Sequence, residues 1–290
     1  MKKYIQILSE LTKIKITIFV TVTTILGYIC AAGEINYGVI LPALGILFIA
    51  CGSAAINHYQ ERRTDALMDR TRNRPIPSGR ISPLNALLIA ITLVTAGFIL
   101  LTLSGGILAG ALSLLNLFWY NGLYTPLKKI NPLAIIPGSM VGAIPPAVGW
   151  VSAGGSLMDP QIIIISFFFF IWQIPHFWLL LSVLGKDYEK AGFPTFSKLF
   201  SRDQFSRIIF MWIAATVVTS LMLPLFGIVR NPVISFALLS AGIWLTIKAV
   251  KLLKPGPDKL SFRFAFREIN IFALIIVFLL SIDKMIKIYL

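Results

Sequence analysis

Apolar residues run almost unbroken through nine stretches of this chain, roughly 14–32, 38–58, 84–103, 105–123, 133–151, 161–184, 208–229, 232–250 and 268–286. At the α-helical rise, about 20 such residues cross the roughly 30 Å hydrocarbon core of a bilayer. The pattern predicts an all-α, polytopic membrane protein with nine transmembrane helices. The first stretch is long enough to span and has no small-residue cleavage pattern, so it reads as the first helix and not as a cleavable leader. Neither a fixed-period repeat nor a low-complexity tract interrupts the chain, so residues 1–290 read as one domain.

Polar positions sit between these stretches, and their positive charge is unevenly shared. With the N-terminus inside, 23 of the 26 Lys and Arg residues fall on inner segments and only Arg230, Lys284 and Lys287 fall outside. That asymmetry satisfies the positive-inside rule and independently favours an odd number of spans, with a cytoplasmic N-terminus and the C-terminus outside. Composition excludes a soluble domain: 57% hydrophobic residues against 13% charged leave too little polar surface to cover a globule, and the mean hydropathy is +0.84. The net charge of +14 lies on cytoplasmic loops, where it meets anionic lipid and anionic substrate, so nucleic acid is not expected as a partner. A cell inner (cytoplasmic) membrane is the expected location. Cys30 and Cys51 lie inside the first two helices without metal-type spacing and read as small packing residues.

One segment departs sharply from the apolar background. Asn57–Arg80 (NHYQERRTDALMDRTRNRPIPSGR) holds three amides, three carboxylates and six arginines directly after the second apolar run. Asn57, Glu61, Asp65 and Asp69 recur every four residues, so a continuing helix would stack them on one face as a column of oxygen ligands. Magnesium is commonly held by one or two carboxylates together with substrate phosphates, and Arg70, Arg72 and Arg74 offer forked donors for phosphate oxygens. The segment reads as a magnesium-diphosphate site. The competing reading is a solvated helix end with pairs such as Glu61–Arg62 or Asp65–Arg70. Asp69, close to three arginines, reads as a surface partner for them.

A second polar loop, GKDYEKAGFPTFSK, follows the sixth apolar run and begins with Lys186, Asp187 and Tyr188. The second and sixth spans are an even number of crossings apart, so their C-terminal ends emerge on the same face and Asp65 and Asp187 can approach. Between spans four and five, WYNGLYTPLKKINP places Tyr124 and Lys128 four residues apart at the inner face, and both can point into one cavity. Gly138, Gly142, Pro145, Pro146 and Gly149 puncture the fifth span, which suggests a groove there. His176 lies in the sixth span, where a lone histidine is a packing residue or a haem ligand. The run Phe167 to Phe170 reads as lipid-facing, with one ring in four or so able to face a cavity.

Five segments in order, NHYQERRTDALMDRTRNRPIPSGRIS, YNGLYTPLKK, GAIPPAVGW, WQIPHFW and KDYEKAGFP, resemble the UbiA superfamily of intramembrane prenyltransferases, and within it the haem-farnesylating branch. The resemblance implies a nine-helix bundle with a central cavity open to the cytoplasmic side and laterally to lipid. It implies Mg2+ as cofactor, and farnesyl diphosphate and haem B as substrates. The farnesyl group would join a haem vinyl group, giving haem O for respiratory oxidases, with a downstream haem A synthase or oxidase as a partner. By the superfamily pattern NDxxDxxxD, Asn57, Glu61 and Asp65 take metal-ligand positions, with His58 standing in place of the first aspartate. Asp187 joins them as the acid of the second motif, although Ala191 stands where that motif has a second aspartate. Arg70, Arg74, Tyr124, Lys128, Lys186 and Tyr188 are implied to bind diphosphate, and His176 to bind haem. The rival from the same family is an aromatic prenyltransferase of the quinone or 4-hydroxybenzoate type. A secondary transporter would need polar groups near the midplane in both halves, whereas these acids cluster at one face.

Overall fold

The computed structural model of the chain describes residues 2–196, 199–254, 256 and 258–286, and these form helices and turns. Helix α1 (Lys2–Leu11) is short and amphipathic, and α2 (Ile14–Ala32) follows after a two-residue break. Next come α3 (Ile40–Asp65), α4 (Pro83–Leu117), α5 (Met140–Ser152), α6 (Pro160–Lys190), α7 (Arg202–Leu225), α8 (Pro232–Ala249) and α9 (Lys259–Met285). Eight helical segments of the described residues are long and apolar enough to cross a membrane, the longest running from Pro83 to Leu127.

That longest segment does not run straight. Gly105 (φ −130°, ψ 21°) and Gly106 (φ 68°, ψ −173°) leave helical geometry, and the second takes a left-handed φ that only glycine adopts freely. In a straight helix residues 98 and 110 would stand about 18 Å apart. Here a Cβ placed on Gly110 would lie 2.8 Å from the Phe98 ring and 2.5 Å from Thr102 Oγ1, so α4 folds back on itself as a hairpin. Ile46 and Ile49 of α3, Leu101 and Ala109 from the two arms of α4, and Ile144, Val148 and Val151 of α5 share one buried cluster. A larger core joins α6, α7, α8 and α9 through residues such as Phe168, Ile209, Leu238 and Phe272.

Local chemistry sets the helix ends. Ser82 accepts from Asn85 N ahead of α4, with Pro83 at the first position, and Ser201 and Gln204 form a capping box at the start of α7. Asp258 caps α9 by accepting from Ser261 N, so that helix starts at Lys259, nine residues before the apolar run that announces it.

Two expectations are corrected. The fifth span does not open a groove at its glycines and prolines. A Cβ on Gly149 would sit 1.9 Å from Thr24 O, and one on Gly27 would sit 2.0 Å from Pro146 O. Small residues here serve close approach of α2 and α5, as they do where helices pack in membranes. The phenylalanine run is also more buried than expected. Phe168 and Phe169 are both core residues at 1% exposure, and Phe167 alone of the four is exposed.

Candidate active site

Helix α3 continues past its apolar part because QERRTD is rich in good helix formers and free of glycine and proline. It ends at Asp65, whose carbonyl accepts from Thr71 Oγ1 at 2.8 Å, so the column holds Asn57, Glu61 and Asp65, and Asp69 lies beyond it. All three are buried, at 0%, 5% and 0% exposure. Asp69 is exposed and pairs with Lys190 and, at 3.9 Å, with Arg72. That Lys190 contact holds the ends of α3 and α6 together at one end of the bundle.

Each member of the column meets one cation from outside its own helix. Lys13 Nζ donates to Asn57 Oδ1 at 2.6 Å. Lys128 Nζ approaches Glu61 Oε1 at 2.8 Å, and Arg74 Nη1 grips both oxygens of Asp65 at 2.9 and 2.8 Å. The intrahelical and near-neighbour pairs Glu61–Arg62 and Asp65–Arg70 do not form among the described residues. Glu61 Oε1 is buried, and its close partner is the Lys128 ammonium.

The segment that carries Lys128 is shaped by an irregular turn. Phe118–Tyr124 is a π-helical turn, a form that places side chains out of α-helical register and recurs at functional sites. It turns Asn121 onto α3, where Oδ1 accepts from Ser53 Oγ at 2.6 Å and Nδ2 donates to Ser53 O at 3.0 Å. Gln60 Nε2 donates back to Asn121 O at 3.0 Å, and Asn57 Nδ2 donates to Thr125 Oγ1 at 3.2 Å. Tyr124 lies under Lys128, with Nζ 5.5 Å from its ring centre, and stacks on Tyr120. Burial alone would lower the Lys128 pKa, but Glu61, Tyr124, Tyr120 and Tyr188 around it outweigh that and raise it. The ammonium therefore stays charged in its buried setting.

Lys13 is the residue that sequence reasoning missed. It joins α1 to α2 in a left-handed conformation (φ 49°), the one described non-glycine residue with positive φ, and that turn aims its side chain at Asn57. Burial, with Arg74 and Lys128 nearby, pulls its pKa down to about 7, against the opposing pull of Glu61 and Asp65. A basic residue at the head of a first span is the only signal that could have found it. Lys13, Arg70 and Arg74 line an open cavity of about 690 Å3 with Gln6, Glu10, His58, Asn73, Ser78 and Arg80. Arg70 makes no ion pair among the described residues and faces this cavity.

The second motif is only partly gathered in. Tyr188 stands near enough to Lys128 to act on its charge and packs on Phe193. Asp187 acts on Lys190, and no hydrogen bond or ion pair links it to the column. The side chain of Lys186 and all of Lys287 lie outside the described residues. His176 stands apart from the acids, ringed by Trp172, Phe177 and Phe266 at centroid distances of 4.8, 5.2 and 5.1 Å, with Nδ1 at 2.8 Å from Asn270 Oδ1.

Among the described residues no three His, Cys, Asp or Glu side chains group closely enough to hold a metal by themselves. Two carboxylates and an amide oxygen on one buried helix face fit a magnesium ion that keeps substrate phosphates among its ligands. The donor set is hard oxygen throughout, with cations near enough to take over the phosphates.

Comparison with known proteins agrees with this chemistry. Protoheme IX farnesyltransferase of Oleidesulfovibrio alaskensis is 32% identical over 96% of this chain and 96% of its own. Its namesake in Christiangramia forsetii is 35% identical over 96% and 93%. Among solved structures, a UbiA homolog from Archaeoglobus fulgidus bound to GPP and Mg2+ superposes with a TM-score of 0.67 at 15% identity, covering 97% of this chain and all of that one. A digeranylgeranylglyceryl phosphate synthase structure reaches 0.79 at 18% identity over 98% and 99%. Residues 20–274 match the UbiA prenyltransferase family as a whole, and the chain belongs to that family.

Proposed function

We propose that this protein transfers the farnesyl group of farnesyl diphosphate to a vinyl group of haem B, forming haem O and releasing diphosphate. The single observation that carries the site is the column of Asn57, Glu61 and Asp65, each oxygen ligand faced by its own cation. Relatives named for farnesyl transfer to protohaem, matched over nearly the whole chain, support the choice of substrates.

The chemistry follows from the residues. The bond between the farnesyl C1 and the diphosphate oxygen breaks with its electron pair leaving on diphosphate, and the barrier falls to the extent that the leaving anion is held more tightly than the bound ester. Arg70 and Arg74 grip phosphate oxygens from the cavity side, while Lys128, kept charged, and Tyr124 meet the anion from the other. Asn57, Glu61 and Asp65 would hold a magnesium ion, which would supply Lewis-acid neutralisation of the departing charge. Asp187, near the end of α6, would serve as a further carboxylate ligand for the metal, and its sequence neighbours Lys186 and Tyr188 would add donors to the diphosphate. A haem vinyl carbon then attacks the allylic cation, and water adds at the adjoining carbon with loss of a proton to give the hydroxyethylfarnesyl group. His176, in its sleeve of rings, contacts the haem. Running these steps among apolar side chains protects the cation from early capture by water.

We also infer nine crossings. The 45 residues from Pro83 to Leu127 are more than twice what one span needs, and the Gly105–Gly106 reversal divides them into two. An odd number of crossings puts the two termini on opposite faces, and the Lys/Arg bias sets the N-terminus and the acid column on the cytoplasmic side of a cell inner membrane, with the catalytic cavity opening there and the C-terminus outside. A downstream haem A synthase or oxidase is the expected recipient of the product.

Acceptor choice is tested by competition. Detergent-purified protein is given farnesyl diphosphate, Mg2+ and equal haem B and 4-hydroxybenzoate, and both acceptors are weighed by mass spectrometry. A farnesyl-plus-water gain on haem alone is expected. Prenylation of the benzoate in its place would overturn the assignment.

A further inference from the structure

The contact between α6 and α9 is polar at two successive points. Trp172 Nε1 donates to Ile269 O at 3.1 Å, and one turn further along α6 His176 Nδ1 meets Asn270 Oδ1 at 2.8 Å. The Asn270 amide cannot be turned round without loss, because its Nδ2 donates to Phe266 O at 2.5 Å and a carbonyl only accepts. Its oxygen is therefore the end that faces His176. An oxygen acceptor opposite Nδ1 requires that Nδ1 carry the proton, which leaves Nε2 as the bare nitrogen with an in-plane lone pair. Among the described residues Nε2 has no hydrogen-bond partner. The His176 side chain is half-buried, whereas His58 is buried with both ring nitrogens unbonded. The rings of Trp172, Phe177 and Phe266 fix the imidazole plane.

We propose that Asn270 is a positioning residue that locks His176 in the Nδ1–H form, so that Nε2 is held ready for the iron of the haem acceptor. The proposal rests on haem B being the acceptor. Its physical content is that a metal-bound imidazole is oriented and made more basic by the group that accepts its other N–H. Holding the macrocycle through its iron would fix which edge faces the allylic carbon, while the iron takes no part in the bond that forms.

The experiment titrates ferric haem B into the full-length protein in detergent and records absorption and EPR spectra, affinity, and the reduction potential of the bound haem. The wild type is expected to show a histidine-ligated iron, and His176→Ala to lose that signature. Asn270→Leu should weaken haem binding by about 10- to 100-fold and move the potential positive, because the imidazole becomes less electron-rich. Asn270→Asp, a stronger acceptor, should move it negative. Asn270→Gln, which keeps the amide and guards against a folding defect, should recover most of the affinity. Shifts of opposite sign are not produced by a packing role. If both substitutions leave potential and affinity unchanged while His176→Ala loses the ligand, Asn270 has no such role and the haem reading stands. If the wild type converts haem without any histidine signature, the inference also fails. If the wild type neither binds nor farnesylates haem, the functional reading fails and takes this inference with it.

Discussion

Two buried carboxylate clusters sit at opposite ends of this bundle, and they are built differently. Beyond the far end of α7, Asp283 accepts from the backbone N–H of Arg230 at 3.1 Å and of Asn231 at 3.0 Å, and Lys284 stands 3.2 Å away and also donates to Ile228 O. The two backbone donors belong to the α7–α8 turn itself and cannot leave without unfolding it. At the α3 end, Asn57, Glu61 and Asp65 are held by three flexible side chains, Lys13, Lys128 and Arg74, reaching in from separate segments. A buried ion pair is in itself weak evidence for stability. What separates the clusters is that one acid is held by backbone and the others by side chains, which fits the ligand role proposed for Asn57, Glu61 and Asp65.

The largest expected effect separates the two clusters by function. Asp65→Ala should lower haem farnesylation by roughly a thousandfold, the scale for losing a principal stabiliser of developing charge, with little change in melting temperature. Asp283→Ala should do the reverse, costing about 3 kcal/mol of stability because the backbone donors and Lys284 lose a buried anion, with turnover per folded molecule unchanged. Thermal melting in detergent beside a rate assay reads both.

A smaller effect sharpens the role of the mobile cations. Lys128→Met should lower kcat about tenfold, since one of several groups facing the leaving diphosphate is lost, and Lys128→Arg should recover part of it. A fall in substrate affinity with kcat untouched would make Lys128 a ground-state binder only.

Smallest of all is the half-buried Arg80–Glu10 pair, which ties α1 to the loop after α3. Glu10→Gln should cost a few tenths of a kcal/mol at neutral pH. The hydrogen bond from Arg80 lowers the Glu10 pKa, so its stabilisation is present above the ordinary carboxylate value and fades as pH falls through the lowered one. The melting curves of wild type and variant should converge in acid and stay apart at neutral pH.

Much of this was legible in the chain because hydrophobic run length is a direct physical requirement of the bilayer. The bounds of α2 and α8 lie within a residue of their apolar runs. The four-residue period of Asn57, Glu61 and Asp65 placed them on one face as soon as α3 continued, and Tyr124 and Lys128 came together by the same logic. What was hidden depends on tertiary partners. Nothing local announces that Lys13 adopts a left-handed turn toward Asn57, or that a π-helical turn brings Asn121 onto Ser53. Asp65 was paired with the nearer Arg70 in one reading, but the loop curls so that Arg74 reaches it. The first turns of α7 and α9 are polar enough to read as loop, and their caps, at Ser201 and Asp258, were the signals passed over. Glycines in the fifth span look alike in sequence whether they open a groove or admit a neighbouring backbone, and only the position of α2 decides between them.

The central claim is that the α3 column exchanges its internal cations for a metal-bound diphosphate. The most direct measurement is the binding of an unreactive farnesyl thiodiphosphate to wild type, Asp65→Asn and Asp283→Asn by calorimetry, each with Mg2+ and with chelator. Tight binding that needs Mg2+ in the wild type, survives in Asp283→Asn and is lost in Asp65→Asn is the predicted result. Equal binding by all three proteins, or binding indifferent to Mg2+, would contradict it.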